Sequence, residues 1–222
     1  MVAADSSDEV AAAIREVCDE IIMPRFRALG PGDVMEKNPG DLVTVADQLA
    51  ELELTSRLLD LDPRSAVVGE EAVAADDTVL ERAAAGGRVW LIDPIDGTGS
   101  FARGGTRFAV MVALLEEGRT VSGWIWQPID QRMYTAVLGQ GAECNSVLMQ
   151  PRPAPAHGLN DMTGDVRTTF FIDQKRLELM QRFEGKDQVV LDRGGACGYV
   201  YPDLATGTLD FAVFGRQYPW DH

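Results

Sequence analysis

The chain has 222 residues, 45% of them hydrophobic, which suits one large domain or two smaller halves that share a core. Its 35 acidic residues outnumber the 20 lysines and arginines, and the resulting net charge of −15 argues against binding to nucleic acid or to anionic membrane surfaces. The longest apolar run, residues 108–115, is too short to span a bilayer, so no membrane partner is expected.

The N-terminal stretch and the cysteines indicate the cellular compartment. Residues 1–9 are acidic and contain no apolar core of a signal peptide. The three cysteines are widely spaced, which fits neither a disulfide framework nor a clustered zinc site. We therefore expect a reduced, cytoplasmic protein.

Two helices are predicted near the beginning of the chain. The first ends before Pro24, and its apolar residues recur at helical spacing: Val10, Ile14, Val17 and Ile21. The second covers residues 45–59 and carries Asp47 and Glu51 one turn apart. We expect its buried face to consist of four leucines: Leu49, Leu52, Leu58 and Leu59.

Two carboxylates follow a short apolar run in the middle of the chain. Residues 89–92 have the β-branched and aromatic character of a buried strand, and Pro94, which has no N–H, predicts that the strand ends at Asp93. The three-residue step from Asp93 to Asp96 allows one turn of the chain between them. Both carboxylates are thus expected to point at one place.

The residues after Asp96 suggest what lies at that place. Gly97 allows a close backbone approach, and if Gly97 and Thr98 open a helix, their N–H groups form a seat for phosphate. Acids beside an anion require cations between them, and an all-oxygen ligand set favours Mg²⁺ or Mn²⁺ over zinc. Read alone, the same residues could form an ordinary capped turn.

Acidic residues elsewhere strengthen the interpretation as a site. Glu70 and Glu71 follow another short apolar run, residues 66–68, and therefore also stand at a predicted strand end. Asp221 lies at the end of the chain, directly after Trp220. Carboxylates from several separate elements are thus available to one site.

The remainder of the chain predicts a sheet followed by alternating strands and helices. The predicted elements are antiparallel strands at 108–115, 120–126 and 133–137, a strand at 168–172, a helix at 175–183, and strands at 189–191 and before residue 214. The proline-dense segment 151–155 divides the chain into halves, 1–150 with most of the acidic site residues and 151–222.

Four separated motifs occur in a fixed order. They are Asp-x-Val-Thr-x-x-Asp at 41–47, Gly-Glu-Glu at 69–71, the stretch 90–101 and Trp-Asp at 220–221. On these motifs the sequence resembles the inositol monophosphatase family of metal-dependent, lithium-sensitive phosphatases over essentially its whole length. The resemblance implies an α/β (α+β) fold, a layered αβαβα sandwich of the inositol monophosphatase and fructose-1,6-bisphosphatase type. It also implies a homodimer that acts on a small phosphorylated metabolite.

The resemblance also implies a set of metal ligands. Two or three Mg²⁺ ions are expected per site, with Mn²⁺ as an alternative. Glu70, Asp93 and the main-chain carbonyl of Ile95 would hold one ion. Asp93, Asp96 and Asp221 would hold a second.

Further roles follow from the same resemblance. Thr98, hydrogen-bonded to Asp47, would position the attacking water and help to deprotonate it. Glu71 would support catalysis without binding a metal ion directly. The N–H groups of Gly97 and Thr98 would hold the phosphate oxygens. The alcohol half of the ester would contact a further group of residues: Arg193, Ala196, Phe214 and Arg216.

Three features depart from the family pattern. Phe214 stands where inositol-directed members carry a glutamate that binds hydroxyls, and Ala196 stands where histidinol-phosphatase members tend to carry aspartate. The family continues for a few dozen residues beyond its Trp-Asp motif, so the half 151–222 is expected to be truncated. Inositol phosphates, histidinol phosphate, fructose 1,6-bisphosphate and nucleotide 3′-phosphates all remain candidate substrates.

Two other interpretations are weighed against this one. A haloacid-dehalogenase-like phosphatase also uses Asp-Gly-Thr and Mg²⁺, but it needs two aspartates two positions apart, whereas Asp93 and Asp96 are three apart. A non-catalytic phosphate or metal sensor would keep the pocket without turnover. The presence of the ligands together with Asp47 and Thr98 favours a hydrolase.

Overall fold

The computed structural model describes residues 4–38, 40–150, 152–153, 161–167, 171, 173–191, 196–215 and 217–221. Within these ranges the α-helices are α1 (Ala4–Val17), α2 (Val45–Leu61), α3 (Glu70–Ala75), α4 (Glu81–Ala84), α5 (Thr98–Ala102), α6 (Asp173–Phe183) and α7 (Cys197–Thr206). A π-turn and three 3₁₀ turns complete them: Cys18–Ile22, Met23–Arg25, Asp77–Leu80 and Pro219–Asp221. No helix in this described part is both long and apolar enough to cross a membrane.

The strands form a hairpin and two sheets. They are β1 (Val34–Asn38), β2 (Asp41–Thr44), β3 (Ala66–Gly69), β4 (Arg88–Asp96), β5 (Ala109–Glu116), β6 (Arg119–Gln127), β7 (Arg132–Val137), β8 (Gly141–Cys144), β9 (Val147–Leu148), β10 (Gly164–Arg167), β11 (Val189–Leu191) and β12 (Phe211–Phe214). The hairpin is β1–β2, and β3 to β9 form a seven-stranded sheet in sequence order. In the smaller sheet β10 lies between β11 and β12, parallel to both.

Helices and sheets alternate in layers. Helices α1 and α2 cover one face of the large sheet, where they bury a core that includes Ile14, Leu54 and Trp90. Helix α7 packs against β5 and β6 and also against β12, so it separates the two sheets. Helix α6 covers the small sheet through Phe183, which packs with Val166. The predicted αβαβα sandwich is confirmed.

The buried face of α2 differs from the predicted one. Leu49 and Leu52 are 37% and 70% exposed, so they do not belong to the core, whereas Leu58 is fully buried. The residues that α2 buries follow the i, i+4 spacing of a single stripe: Ala46, Asp47, Ala50, Glu51, Leu54 and Leu58. Two acids lie within that stripe, Asp47 beside Thr98 and Glu51 at the start of α3, so the buried face is not the expected leucine face.

Strand β4 does not end at Asp93 as predicted. It continues through Pro94 to Asp96, and its pairing with β5 shifts register between Asp93 and Asp96. An irregularity of this kind accommodates a residue that cannot donate a ladder hydrogen bond. Asp93 is paired opposite Met111, inside the sheet instead of beyond it.

Other predicted elements have clear outcomes. The three antiparallel strands, the helix that ends at Phe183 and the strand at Val189–Leu191 are present. The strand predicted at 168–172 lies outside the described residues except for residue 171, and a strand that was not predicted is present directly before it, at Gly164–Arg167. Most of the proline-dense segment also lies outside the described residues, and the division into halves stays a prediction.

The junction of β3 and α3 depends on a buried carboxylate. Glu51 of α2 accepts hydrogen bonds from the N–H groups of Glu71 and Ala72, at 2.7 and 2.8 Å, in the first turn of α3. A Cβ atom on Gly69 would lie 2.2 Å from the Cδ atom of Glu51. Glycine at position 69 therefore leaves room for the acid that caps α3.

We expect Gly69→Ala to destabilise the protein by about 1–3 kcal/mol, because the Glu51 carboxylate must move and lose both hydrogen bonds. Urea denaturation measures the free energy of unfolding. Gly123→Ala in β6 is the matched control, since its Cβ would have no atom closer than 4.0 Å, and it should change stability by less than about 0.5 kcal/mol. Equal effects of the two substitutions would contradict this role of Gly69.

Candidate active site

Asp47 caps a helix and holds a threonine at the same time. At the start of α2 its Oδ2 atom accepts the N–H of Thr44 at 2.8 Å and also the Thr44 hydroxyl. Its Oδ1 atom lies 3.0 Å from the hydroxyl oxygen of Thr98, which is also 2.9 Å from the carbonyl oxygen of Ile95. The Asp47 and Thr98 side chains are buried, so the helix cap fixes the position of the Thr98 hydroxyl.

Glu70, Asp93 and Asp96 come together because of strand pairing. Strands β3 and β4 are parallel, with Gly69 opposite Ile92, so Glu70 and Asp93 follow at the same edge of the sheet. Asp93 is 2% exposed, and its Oδ1 atom is buried without a hydrogen-bond donor among the described residues.

Helix α7 holds Asp96 from the opposite side. The Oδ2 atom of Asp96 accepts the N–H of Gly198 at 2.5 Å, and the Cys197 N–H also hydrogen-bonds this side chain. The Gly198 carbonyl accepts a hydrogen bond from Gln127 of β6 at 2.9 Å. A Cβ on Gly198 would lie 2.6 Å from the Cβ of Ala109, so the helix meets the sheet directly at the site.

Gly97 has the left-handed backbone conformation that its position requires. Its φ angle is 87°, and an added Cβ would lie 3.1 Å from the carbonyl oxygen of Arg107 and from the Cβ of Ala196. Helix α5 begins at the next residue, Thr98, as predicted. The backbone at the helix start is therefore free to approach a ligand closely.

One cavity of about 270 Å³ contains most of the predicted site residues. Its described lining consists of Asn38, Gly40, Asp41, Leu42, Glu70, Asp93, Ile95, Asp96, Gly97, Thr98, Gly99, Arg167, Cys197, Phe214, Gly215, Tyr218, Trp220 and Asp221. Asp47 and Ala196 are not in this lining but contact it, Asp47 through Thr98 and Ala196 beside Gly97. Two predicted substrate contacts, Arg193 and Arg216, lie outside the described residues.

Burial shifts the acid–base properties of these acids. Burial raises the pKa of Asp93 well above its usual value, and the negative charges of Glu70 and Asp96 add to the effect. Burial raises the pKa of Asp96 to about 7, although the amides of Gly198 and Cys197 oppose the shift. The pKa of Asp47 is raised to about 6, again mainly by burial. The carboxylates cannot all ionise together at neutral pH without added positive charge.

Lys37 of β1 supplies one such charge from within the chain. Its Nζ atom lies 2.6 Å from Oε1 of Glu70 and 3.0 Å from Oε1 of Glu71, and its side chain is 12% exposed. Burial lowers the pKa of Lys37, but the two glutamates outweigh this and raise it overall. Burial raises the pKa of Glu71 to about 7. Glu71 therefore contacts Lys37 and does not itself line the cavity.

The donor set fits a divalent cation, although the donors have other partners. In the described ranges no three Asp, Glu, His or Cys side chains are already gathered as a metal cage. Glu70 bonds Lys37, and Oδ2 of Asp221 accepts the N–H of Tyr218 at 2.7 Å. Carboxylates with a main-chain carbonyl nevertheless form the oxygen set that Mg²⁺ prefers, and the unbonded Oδ1 of Asp93 is a buried acceptor aligned with that chemistry.

Two charged residues near the site were missed by the sequence analysis. Arg167 ends β10 and lines the cavity, but this strand was not predicted, so the residue at its carboxyl end was not recognised. Lys37 lies four residues before Asp41, in the hairpin that precedes α2. Its position before an acidic motif was the only signal, and a lone lysine on a short strand is usually exposed.

Comparison with known proteins agrees with this geometry. A model of the "Inositol monophosphatase family" matches residues 4–222. The chain belongs to the inositol monophosphatase family. Inositol-1-monophosphatase of Bacillus subtilis is 27% identical over 84% of this chain and 68% of its own length. "Bifunctional phosphatase IMPL2, chloroplastic" of Arabidopsis thaliana is 29% identical over 94% of this chain and 57% of its own length.

The fold of this inositol monophosphatase family member also matches solved structures. Staphylococcal IMPase-I, complexed with products, superposes with a TM-score of 0.78 over 98% of this chain and 78% of that chain, at 20% sequence identity. That likeness establishes the fold. The chain spans 68% and 57% of the two curated relatives, so its reaction, substrate and partners are matters for proposal.

We expect Lys37→Met to raise the affinity for Mg²⁺ by about 3- to 10-fold, because it removes a cation that competes for Glu70. The metal-free protein should lose about 1–3 kcal/mol of stability, since two partly buried glutamates lose their counter-charge. Calorimetric titration with Mg²⁺ and denaturation in chelator measure the two effects. The control is Lys175→Met, which breaks an exposed ion pair with Glu178. Weaker Mg²⁺ binding by Lys37→Met would contradict the expectation that Lys37 competes with the metal ion for Glu70.

The metal-free protein should lose stability as the pH rises from 5 to about 7. In that window folded Asp47, Glu71 and Asp96 retain protons, with pKa values raised to about 6, 7 and 7, whereas the unfolded chain has released them. Because the folded state binds more protons, the free energy of unfolding falls with pH. Thermal melts in chelator measure this. Added Mg²⁺ should raise the melting temperature more at pH 8 than at pH 5, and the reverse order would reject the buried acid cluster as its site.

Proposed function

We propose that this protein is a Mg²⁺-dependent phosphomonoesterase that hydrolyses the phosphate ester of a small alcohol. The observation that carries the proposal is that Thr98 lines one cavity of about 270 Å³ together with Asp93 and Asp96, with the buried Asp47 hydrogen-bonded behind it. Membership of a phosphatase family supports the same reaction class.

The proposed ligand set uses the carboxylates at the ends of β3 and β4. Glu70, Asp93 and the Ile95 carbonyl would hold one divalent cation. Asp93, Asp96 and Asp221 would hold a second. When bound, such cations neutralise the phosphate charge and lower the pKa of coordinated water. Mn²⁺, a third ion and inhibition by lithium belong to the same proposal.

The chain's own residues would carry the proton. The Thr98 oxygen would take a proton from water only as its own hydroxyl proton passes to Oδ1 of Asp47, 3.0 Å away. Asp47, with a pKa raised to about 6, is poised to accept a proton near neutral pH. The role proposed for Glu71 is indirect: it holds Lys37 beside Glu70.

The phosphate would be held by the backbone at the start of α5. The left-handed conformation of Gly97 turns the chain there, and the N–H groups of Gly97 and Thr98 adjoin the cavity. Binding of phosphate oxygens by N–H groups at such a turn needs no additional side chain. Phe214 lines the same cavity and is therefore a candidate contact for the alcohol half of the ester.

The substrate is proposed only as a class. Inositol phosphates, histidinol phosphate, fructose 1,6-bisphosphate and nucleotide 3′-phosphates are all members of it. One solved relative is described as a dual specific IMPase/NADP phosphatase bound with D-inositol-1-phosphate, so related folds accept more than one ester. We propose in addition a cytoplasmic homodimer without nucleic-acid or membrane partners, consistent with the charge of −15.

We expect Asp93→Asn to reduce phosphate release by at least about 100-fold and to weaken Mg²⁺ binding, because Asp93 contributes to both proposed ion sites. The assay measures phosphate release from a panel of those esters, with and without Mg²⁺ and lithium, alongside calorimetric Mg²⁺ titration. Asp60→Asn on the exposed side of α2 is the matched control.

The outcomes distinguish a phosphatase from a non-catalytic sensor. Unchanged kinetics for Asp93→Asn would reject the assignment of the site. Mg²⁺ binding by the unsubstituted protein without release from any ester would replace the phosphatase by a non-catalytic phosphate or metal sensor.

A further inference from the structure

Two side chains that the sequence did not pair lie side by side on the wall of the cavity. Arg167 and Phe214 are register partners in the parallel strands β10 and β12, so their side chains leave the small sheet on the same face. Both line the cavity that contains Asp93 and Asp96. The small sheet therefore contributes a defined surface to the site.

Packing fixes the direction of the guanidinium. It lies 5.6 Å from the centre of the Phe214 ring, in the range of a cation–π contact, and the Arg167 side chain is 16% exposed. Its Nε atom is 3.5 Å from Oδ1 of Asp165, and its Nη2 atom is 3.5 Å from the Ala196 carbonyl oxygen. The Phe214 ring in turn packs against Tyr201, with ring centres 5.8 Å apart. These contacts hold the Arg167 side chain against the cavity wall and keep most of it out of solvent.

The charge of this surface contrasts with the rest of the cavity. Among the described lining residues Arg167 alone is cationic, and the acidic ones are Asp41, Glu70, Asp93, Asp96 and Asp221. The guanidinium is near enough to Asp96 to lower the pKa of that carboxyl against the larger effect of burial. Divalent cations on the carboxylates would neutralise most of the negative charge of the lining, and Arg167, although paired with Asp165, would remain the cationic side chain of the described wall.

The hydrogen-bonding groups of this surface restrict the chemical groups that it can bind. Phe214 offers no acceptor, and a guanidinium offers only donors. A neutral polyol, whose hydroxyls need acceptors as well as donors, would be poorly satisfied against this pair. A carboxylate or a second phosphate, which only accepts, would be well satisfied.

We propose that Arg167, supported by Phe214, selects substrates that carry a second anionic group a few bonds from the ester, in preference to neutral polyol monophosphates. This rests on the proposed phosphatase function and specifies its substrate class. The second group is a carboxylate or another phosphate, and the chemistry recognised by Arg167 is common to both.

The test compares matched pairs of esters. 3-Phosphoglycerate and glycerol 3-phosphate differ only by a carboxylate in place of a hydroxymethyl group. Propane-1,3-diol bisphosphate and its monophosphate form the second pair. The protein should prefer the anionic member of one pair by roughly 10- to 100-fold in kcat/KM, the value of a charge-assisted bidentate contact. The pair that shows the preference identifies the anionic group.

Substitution assigns the preference to the arginine. Arg167→Gln should reduce the preference to within about threefold of unity, chiefly through KM, because the contact is made in the ground state and the transition state alike. Arg167→Lys should retain part of it, since the charge remains without the bidentate fork. Phe214→Glu should shift the preference towards the neutral ester, because its carboxylate would pair with Arg167. Arg119→Gln, on the exposed end of β6, should keep the original ratio.

The outcomes distinguish this proposal from the proposed function. Phosphate release with no preference in either pair, or a preference that survives Arg167→Gln, would overturn the role of Arg167 and leave the phosphatase intact. If no ester is hydrolysed, the phosphatase fails, and thermal shifts by the same esters in Mg²⁺ test the contact. Equal shifts by the paired esters would then overturn it, and a larger shift by the anionic ester that is lost in Arg167→Gln would support it.

Discussion

The burial of several carboxylates at one sheet edge is the constraint on which the rest of the structure depends. Glu70, Asp93 and Asp96 are brought together by the pairing of β3 with β4 and by the irregular end of β4. Burial disfavours the ionised forms of Asp93 and Asp96, and the neighbouring carboxylates add repulsion. The surrounding groups compensate with donors: the ammonium of Lys37 on one side and the amides of α7 on the other. The same electrostatic interactions therefore determine both the properties of the site and the stability of this region.

Helix α2 contributes to the solution by carrying acids within its buried stripe. Asp47 caps its own helix and holds Thr98, while Glu51 caps α3 and fits against Gly69. A fully buried alanine directly precedes each of these acids, Ala46 before Asp47 and Ala50 before Glu51, and small side chains allow a helix to approach a sheet closely. The buried stripe of α2 therefore contains both residues that pack against the sheet and residues that form hydrogen bonds.

The sequence predicted those parts of the site whose signals are local. Acids directly behind short apolar runs were placed correctly near one another, because strand ends in paired strands share an edge. The predicted leucine face of α2 was wrong, because the positions of apolar residues do not reveal that buried polar residues occupy part of the buried face. Pro94 did not end β4, since a bulge absorbed the missing donor. Arg167 and Lys37 depend on strand registers between distant segments, which no local pattern contains.

Gly198 joins helix α7 to three strands of the large sheet: β4, β5 and β6. Its N–H bonds Asp96, its carbonyl accepts from Gln127 of the large sheet, and its missing side chain lets α7 rest against Ala109. The separation of the middle helix from the sheet is consequently set at the same point as the environment of Asp96. Core substitutions far from the cavity that lift α7 by a fraction of an ångström would lengthen this hydrogen bond and alter the charge of the carboxylate. Natural variation in the apolar layer under α7 can therefore tune the site without changing any residue that lines it.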